Sequence, residues 1–440
     1  MRAPKSVSGS GFVFEKGLIL TNAHVVSNST FTQVRLYGQA KKHIAKVVAI
    51  SHDADLAILT LKDQTVLQDI KPLTLGKLPQ LQQEVLVYGY PKGGSTLSIT
   101  KGVVSRIENQ LYSHSYRELL SAQLDAAINA GNSGGPAVVD NEVVGVAMQS
   151  LKKSNDIGYM VPVPVINHFL TDIKDGKYDG FPRDGIIIQA LENNSFRDKY
   201  QLHKEQSGVV ISQIYPSSPA IGHLQVEDVI LEIDNHIVAN DGTIEFRTNE
   251  RTLADYLVQM HQVGDEILLK ILRNGHEKIL SFRLDGAGTH KGLVEPPQFE
   301  VKPSYFIYGG LLFTPLSINL LKAWGDEWYD DAPTSLLSLS YYGIPKVKNE
   351  QAIILTNVLA AEINEGYEDL IYERFTEVNG ERFANLKELV KMVEQSNDTY
   401  ISFKTDNGAQ IVLNKAEVEQ KQQEILQTYQ IPSDRFVPSM

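Results

Sequence analysis

The residues DAAINAGNSGGP, Asp125–Pro136, decide how the rest of the sequence is interpreted. They place Ser133 among glycines, which adopt backbone orientations that a residue with a Cβ would resist. A nucleophilic serine needs backbone N–H groups that point into one small space and bind the developing oxyanion. The stretch therefore predicts Ser133 as a nucleophile. The N–H groups of Gly131 and Ser133, with Asn132 between them, are predicted to form the oxyanion hole.

Two other short stretches carry the partners that such a serine requires. TNAHVV places His24 directly after an apolar strand, and HDADLAIL carries Asp53 and Asp55. A histidine, then an aspartate, then a serine is the chain order of chymotrypsin-like serine proteases. In that arrangement His24 takes the proton of Ser133 and returns it to the leaving amine, while an aspartate orients the imidazole. Strand alternation cannot choose between the two aspartates, because residues two apart face the same side.

Each of these residues also has an ordinary structural explanation. A lone histidine after a strand is usually a core or surface residue, and a glycine-rich stretch can be a simple turn. Their joint occurrence, in this order and inside a strand-rich region, favours the catalytic interpretation. Asp125 also lies near Ser133 in the sequence, and we interpret it as a structural residue that bonds backbone around the nucleophile loop.

The composition limits the classes of function. The chain has 440 residues, which suggests about three domains, and its 42% hydrophobic and 21% charged residues are typical of a globular protein. A formal net charge of -12 argues against a nucleic-acid partner, which needs clustered Lys and Arg. The absence of cysteine excludes disulfides, thiolate catalysis, iron–sulfur clusters and cysteine-type zinc sites, and we predict no metal and no cofactor. We find no apolar run long enough for a membrane span, and no signal peptide is visible in this chain.

Patterning along the chain predicts three folded regions and a tail. Short strands with regular turn residues fill the first region, and a polar linker at 175–182 follows it. Ile230–Asn235 resembles Glu373–Gly380, which indicates a weak internal repeat of about a hundred residues. The predicted boundaries are 1–174, 184–286, 302–415 and a helical tail at 416–440.

Two local patterns in the second region predict particular elements. Leu253, Leu257 and Met260 recur at helical spacing. Two apolar runs flank Asn274-Gly275, a dipeptide typical of a two-residue hairpin turn. A helix and a strand pair are therefore expected there.

Taken together, these motifs resemble the HtrA/Deg family of serine proteases, in which PDZ domains follow a protease domain. The second half is most similar to plant-type Deg proteases, whose second PDZ domain is divergent. The family places the triad aspartate directly before a Leu/Ile-Ala pair, which favours Asp55 over Asp53. The resemblance covers most of the chain and rests on these stretches: Thr21–Val26, Asp55–Leu59, Gly89–Pro91, Gly102–Ser105, Asp125–Pro136 and Ile157–Pro162.

The resemblance implies a mainly β, multidomain chain, with a chymotrypsin-like double β-barrel followed by two α+β PDZ-like domains. It implies a serine endopeptidase with the triad His24, Asp55 and Ser133, acting without ATP on unfolded or damaged polypeptides in protein quality control and stress response. It also implies a homo-oligomer (a trimer, or a trimer-based hexamer or cage) that switches between resting and active forms in a periplasm or an organelle lumen. The rival interpretation is a non-enzymatic holdase chaperone or a PDZ peptide-binding scaffold with a latent protease domain. An intact triad argues against it.

Two kinds of binding surface are expected. The strand after the nucleophile loop would pair with the substrate backbone, and its apolar lining predicts cleavage after Val, Ala or Leu. The predicted substrate pocket is Met148, Gln149, Ser150 and Leu151. PDZ loops hold a peptide carboxylate with backbone N–H groups, and Asp184 would repel such a carboxylate. The predicted loops are Gly185, Ile186 and Ile187 in the first domain, and Gly310, Leu311 and Leu312 in the second.

The sequence departs from the family pattern in three places. Glu227 stands where a glycine usually precedes the next aspartate, so we expect the turn to be built differently. The family has a strand before Ser8–Phe12, which predicts a truncated chain or a strand supplied from elsewhere. Arg106 and Arg117 are the candidates for an activating arginine, but neither is in register, and we interpret both as solvated charges.

Overall fold

The computed structural model describes residues 6–91, 96–126, 128, 131–150, 157–286, 292–325 and 327–438. The chain divides into two compact units. One unit holds the first two predicted regions, and the other holds the third region and the tail, together with Tyr215–Ser217. In these described ranges, no helix is both long enough and apolar enough to cross a bilayer.

A five-stranded antiparallel sheet carries the predicted histidine and aspartate. Its strand order is β1-β2-β5-β4-β3, and the short helix α1 (Ala23–Val26) follows β2 directly. The central strand is buried on both faces: Leu56 and Ile58 pack into one core cluster, and Leu59 and Leu61 into another. The strands are β1 (Phe12–Glu15), β2 (Leu18–Thr21), β3 (Thr32–Arg35), β4 (Lys42–Ser51) and β5 (Leu56–Leu61).

A closed six-stranded barrel carries the predicted nucleophile in the loop between β8 and β9. The strands close in the order β10-β11-β8-β7-β6-β9, and helix α2 (Val163–Asp172) directly follows β11 in the chain. The sequence predicts two barrels. In the described residues the second is this closed barrel, and the first is an open five-stranded sheet. The strands are β6 (Glu84–Gly89), β7 (Ser98–Tyr112), β8 (Arg117–Leu124), β9 (Pro136–Val139), β10 (Glu142–Ser150) and β11 (Gly158–Pro162).

The second region is a small α+β domain in which β12 forms one edge of the sheet. The sheet order is β12-β13-β14-β18-β19, β15 pairs with β14, and β16 and β17 form a separate hairpin. The strands are β12 (Ile186–Ala190), β13 (Val209–Ile214), β14 (Val229–Ile233), β15 (His236–Ile237), β16 (Thr243–Arg247), β17 (Glu250–Leu253), β18 (Glu266–Arg273) and β19 (His276–Arg283). The helices are α3 (Asn194–Lys199) and α4 (Asp255–Met260).

One of the two local patterns in this region was interpreted correctly. The hairpin turn at Asn274 and Gly275 has positive φ at both residues, 52° and 74°, as a two-residue turn of this kind requires. The helical interpretation of Leu253 was wrong, because this residue ends β17, and α4 begins only at Asp255.

The second unit repeats this plan around a longer sheet. Its order is β26-β25-β23-β22-β21-β20-β27, with β24 on β23. The strands are β20 (Tyr305–Tyr308), β21 (Leu311–Pro315), β22 (Ile353–Val358), β23 (Arg374–Val378), β24 (Glu381–Arg382), β25 (Tyr400–Thr405), β26 (Gln410–Asn414) and β27 (Arg435–Phe436). The helices are α5 (Ile318–Leu321), α6 (Trp328–Asp331), α7 (Thr334–Tyr342), α8 (Leu386–Gln395) and α9 (Lys415–Thr428).

The predicted repeat and the predicted tail helix both correspond to structure. In each copy of the repeat a buried strand, β14 or β23, ends in a left-handed two-residue turn, at Asp234-Asn235 and at Asn379-Gly380. The tail contains α9, and Val418 on this helix packs into the core of the second unit. The tail also contributes β27 to the sheet, so it packs as part of this unit.

Candidate active site

His24 and Asp55 are held together by two contacts from one carboxylate. Asp55 Oδ2 lies 2.7 Å from His24 Nδ1, and Asp55 Oδ1 accepts the backbone N–H of His24 at 2.8 Å. Asn22 Nδ2 donates to the Asp55 carbonyl at 2.8 Å, which ties the two chain segments together. The Asp55 side chain is 1% exposed and that of His24 is 32% exposed. Since the carboxylate uses Nδ1, Nε2 is the ring nitrogen left for proton transfer.

The neighbouring Asp53 points elsewhere. His52 to Asp55 form a turn between β4 and β5, so the argument from strand alternation, which could not choose between the two aspartates, does not apply to them. Asp55 has a φ of 54°, which turns its side chain out of the register of Asp53. Asp53 Oδ2 instead accepts the N–H of Phe181 at 3.5 Å. The geometry thus favours Asp55 as the partner of the histidine.

Ser133 lies in a loop that crosses the strand leading to His24. Gly134 donates its N–H to the Ala147 carbonyl at 2.9 Å. Its φ is 87°, and a Cβ there would lie 2.2 Å from the Ser10 carbonyl oxygen and 2.3 Å from Thr21 Oγ1. Glycine is therefore required at this crossing, because any larger residue would push the nucleophile loop away from the histidine strand.

Ser10 is a site residue that the sequence analysis did not single out. Its Oγ donates to the Gly131 carbonyl at 2.7 Å and accepts the N–H of Tyr90 at 2.8 Å. Its backbone N–H donates to the Ser133 carbonyl at 2.8 Å, and its own carbonyl accepts Thr21 Oγ1 at 2.6 Å. One buried side chain therefore fixes the loop that carries the predicted oxyanion hole. The family phrase SGSGF marks its position, but its partners lie too far along the chain for any local pattern to reveal.

The predicted oxyanion hole lies in the turn just before Ser133. Gly131 has a φ of 106°, a left-handed conformation that glycine adopts readily, and Asn132 is buried. The bond from Ser10 to the Gly131 carbonyl fixes the peptide between Gly131 and Asn132. The role of these N–H groups stays a prediction.

The hydroxyl of Ser133 donates to the Met148 carbonyl at 3.1 Å. A serine hydroxyl has one hydrogen to donate, so Ser133 Oγ must leave this carbonyl before its proton can pass to His24. In this structure the Ser133 hydroxyl is therefore bonded to the backbone of β10.

The electrostatic environment of His24 suits a general base that works near neutral pH. Burial lowers the pKa of His24, but the charge of Asp55 and their hydrogen bond outweigh it, so the pKa is raised above its ordinary value of 6.5. His24 is neutral, and able to accept a proton, only above its pKa. We therefore expect the reaction to slow as the pH falls through this range.

Asp125, the acidic residue that precedes the nucleophile loop, has a structural contact. Asp125 Oδ1 accepts the N–H of Val103 at 2.5 Å, so Asp125 bonds backbone as predicted, but that of β7 and not that of the nucleophile loop. Within the described parts of the chain, no group of three or more His, Asp or Glu side chains is arranged to hold a metal ion.

Comparisons with known proteins find a protease domain followed by two PDZ domains in this chain. A trypsin-like peptidase domain matches residues 9–146, and PDZ domains match residues 195–284 and 294–436. "Protease Do-like 4, mitochondrial" from Arabidopsis thaliana is 39% identical over 426 residues, which cover 97% of this chain and 79% of the relative. The chain belongs to the HtrA/Deg family of serine proteases.

Two further relatives support this assignment. "Protease Do-like 2, chloroplastic" from the same plant is 37% identical over 443 residues, covering 97% of this chain and 70% of the relative. The solved structure "HtrA-type protease AlgW with tripeptide" matches with a TM-score of 0.51 and 28% identity, over 63% of this chain and 88% of that one. This HtrA/Deg protein is therefore a serine endopeptidase, and the predicted family, enzyme class and mainly β fold class are confirmed.

The predicted substrate pocket of this HtrA/Deg protease stays a prediction. Met148 is 2% exposed, and its side chain packs in the barrel core while its carbonyl holds Ser133. Gln149 and Ser150 lie in β10, paired with β11. Leu151 lies outside the described residues.

The loop predicted to bind a peptide in the first PDZ domain already faces a carboxylate. Asp184 Oδ1 accepts the N–H of Ile186 at 3.3 Å, and Gly185 has a φ of 66°. Ile186 and Ile187 then begin the edge strand β12, where a peptide strand could add. The Asp184 carboxylate thus already uses one of the N–H groups predicted to hold a peptide carboxylate, and the role of this loop in peptide binding stays a prediction.

In the second PDZ domain, neighbouring strands already occupy both sides of the strand that follows the corresponding loop. Gly310 lies in the tight turn between β20 and β21, and its carbonyl accepts the N–H of Leu359 at 2.8 Å. Leu311 and Leu312 lie in β21, which pairs with β20 on one side and with β22 on the other. A peptide strand could add to β21 only by displacing one of these strands.

Only one of the two candidate activating arginines is a surface charge. Arg106 is 60% exposed and lies 3.1 Å from Glu108. The interpretation of Arg117 as solvated was wrong, because this residue is 8% exposed and donates from Nη2 to the Phe181 carbonyl at 3.3 Å. It therefore connects β8 to the linker.

Glu227 holds a left-handed backbone conformation at its turn. Glu227 has a φ of 73°, in the left-handed region, directly before Asp228. Glu227 therefore adopts a conformation that glycine favours, and the expectation of a differently built turn stays a prediction. The Asp228 carboxylate accepts two bonds from Arg273, which anchor the turn to β18.

Proposed function

We propose that this protease cleaves unfolded polypeptides without ATP, with Ser133 as nucleophile, His24 as general base and Asp55 as the group that orients the imidazole. The observation that carries the proposal is the buried Asp55 carboxylate, bonded to both the ring and the backbone of His24. The nucleophile loop packs directly on the strand before that histidine, which supports convergence of the three groups.

The reaction follows from these contacts. A substrate strand laid along β10 would offer its own N–H to the Met148 carbonyl, and Ser133 Oγ would then turn to His24 Nε2. Oγ attacks the scissile carbonyl carbon while His24 takes its proton, and the oxyanion is stabilised by the N–H groups of Gly131 and Ser133. The C–N bond breaks as His24 returns the proton to the leaving amine. Water then hydrolyses the acyl-enzyme by the same steps in reverse.

The substrate class follows from the strand beside the nucleophile. The segment from Val146 to Leu151 contains no aspartate to clamp a basic side chain, so we propose cleavage after Val, Ala or Leu. Such side chains lie inside folded proteins, and they become available when a protein unfolds. An already unfolded chain needs no nucleotide-driven unfolding, which supports ATP independence.

We also propose that the protein assembles as a homo-oligomer, a trimer or a trimer-based hexamer or cage, and switches between resting and active forms. The bond from Ser133 to the Met148 carbonyl supports a resting form that differs from the active one by a small local change. Light scattering at several protein concentrations tests the assembly, and a mass of one chain at all of them would contradict it.

Digestion of reduced lysozyme or casein tests the activity, with wild type and Ser133→Ala compared in the absence of nucleotide. We expect the wild type to degrade both substrates and Ser133→Ala to degrade neither. Proteolysis that survives in the variant would overturn the assignment of the nucleophile. Suppression of substrate aggregation by a wild type that cannot cleave would favour the rival holdase function.

A further inference from the structure

Three imidazole rings are clustered at the proposed catalytic base. His52 Nδ1 and His114 Nε2 are 3.0 Å apart, within hydrogen-bond distance. The ring centroids of His24 and His114 are 6.2 Å apart, and those of His52 and His114 are 5.2 Å apart. His114 lies at the tip of the β7–β8 hairpin, and His52 begins the turn that ends in Asp55. Two elements far apart in the chain therefore bring a pair of histidines to the ring of His24.

A second contact fixes the hairpin tip on this turn. Ser115 Oγ donates to the Asp53 carbonyl at 2.9 Å and also accepts the N–H of Arg117 at 3.2 Å. The tip thus contacts the turn through two successive residues, His114 and Ser115. The separation between His114 and His24 is therefore set by the fold rather than by one flexible side chain.

We propose that His114, through its pair with His52, is a positioning residue that sets the proton affinity of His24. The inference rests on the proposed function, because it takes His24 as the general base. Asp55 favours the protonated form of His24, which cannot accept the proton of Ser133. A proton on the histidine pair places positive charge beside His24 and disfavours a second proton there. The pair therefore counteracts the effect of Asp55 on the proton affinity of His24 and keeps His24 unprotonated down to a lower pH.

The size of the effect follows from the separation. A unit charge about 6 Å away, at an effective dielectric constant of roughly 40 to 80, shifts a titration midpoint by about 0.5 to 1 pH unit. Besides Asp55, the charged residues of this turn and of the hairpin tip are Asp53 and Arg117, which have opposite signs and both bond to the backbone of Phe181 in the linker. The other charged residues of the hairpin, Lys101, Arg106, Glu108 and Glu118, lie further along β7 and β8. By contrast, His114 lies against the His24 ring itself.

Covalent labelling of Ser133 by a fluorophosphonate probe tests the inference without a protein substrate. The labelling rate is measured from pH 5 to pH 9 for the full chain carrying wild-type His114, His114→Phe or His114→Lys. Phe keeps a ring but carries no proton, so we expect the acid midpoint to rise by about 0.5 to 1 unit. Lys carries a permanent charge, so we expect the midpoint to fall by a similar amount.

A purely structural role for His114 predicts a different result. It would change the labelling rate by one factor at every pH and leave the midpoint in place. Such constant midpoints in both variants, with thermal unfolding showing that they are folded, would overturn the inference. If either variant does not fold, His52→Phe removes the other half of the pair and must raise the midpoint in the same way as His114→Phe.

Two controls separate this inference from the proposed function. His276→Phe, at an exposed position of β19, must leave the midpoint unchanged. Ser133→Ala must abolish labelling. Labelling that persists in Ser133→Ala would overturn the proposed function and the inference with it, whereas Ser133-dependent labelling without a midpoint shift would overturn the inference alone.

Discussion

The two halves of the candidate active site differ in how completely they are assembled. On the five-stranded sheet, Asp55 already holds both the ring and the backbone N–H of His24. On the barrel, Ser133 instead donates its hydroxyl to the Met148 carbonyl. Folding therefore fixes His24 on Asp55, whereas the backbone of β10 holds the Ser133 hydroxyl. Under the proposed mechanism, a substrate strand that occupies the Met148 carbonyl would release the Ser133 hydroxyl, and activation would then be coupled to substrate binding.

The largest expected effect is on the half of the site that holds the base, at Asp55. Asp55→Asn should lower kcat on casein by about 10⁴, because the amide holds the imidazole in the wrong tautomer. Asp53→Asn is the matched control, and since its carboxylate faces the linker at Phe181 we expect a change of less than about tenfold. A large loss in Asp53→Asn together with a small loss in Asp55→Asn would reverse the assignment.

On the nucleophile half, Gly134→Ala should cost about 3 kcal/mol of unfolding free energy, or more, and lower activity by roughly 100-fold. The new Cβ would overlap Ser10 and Thr21 and displace the loop. Gly17→Ala is the control, because Gly17 has a similar φ of 80° with nothing within 4 Å. Urea unfolding should show a cost of about 1 kcal/mol there. Equal effects of the two substitutions would show that the loop does not depend on close packing.

Ser10 connects the two halves, and its removal should have a moderate effect. Ser10→Ala leaves the Gly131 carbonyl and the Tyr90 N–H without their partner, so we expect kcat/KM to fall by about tenfold and stability by about 1–3 kcal/mol. Ser8→Ala, at an exposed position two residues earlier, should change neither quantity. An unchanged kcat/KM in Ser10→Ala would mean that the loop holds its conformation without this contact.

The pH profile gives the smallest expected effect. Since Asp55 raises the pKa of His24, the acid limb of kcat/KM in the wild type should have its midpoint above pH 6.5. Asp55→Asn removes the charge that raises this pKa, so the acid limb of the residual activity should move to lower pH. Movement to higher pH would contradict the proposed electrostatic role of Asp55.

The features that could be predicted from the sequence are encoded by a few adjacent residues or by the order of short motifs along the chain. Two adjacent residues determine the turn at Asn274-Gly275, and both adopt the positive φ that the dipeptide favours. The serine protease chain order and the glycine-rich stretch pointed to His24 and Ser133, and the family phrase selected Asp55. In each case the information lies within a few residues or in the order of short motifs.

The parts that sequence could not predict are contacts between distant segments. Ser10 bonds Gly131 from 121 residues away, and no periodic pattern marks such a pair. Arg117 was interpreted as solvated because its burial depends on where the linker at Phe181 runs. Strand alternation could not separate Asp53 from Asp55, and the segment is in fact a turn, in which the side-chain period of a strand does not hold.

A crystal structure of the protease after reaction with a peptidyl boronic acid would test the convergence of the three groups most directly. We predict a covalent bond from boron to Ser133 Oγ and a boronate oxygen within hydrogen-bond distance of the N–H groups of Gly131 and Ser133. His24 Nε2 should lie within the same distance of the adduct, with Asp55 still on Nδ1. An adduct on any other side chain, or one on Ser133 with the His24 ring out of reach, would contradict the account.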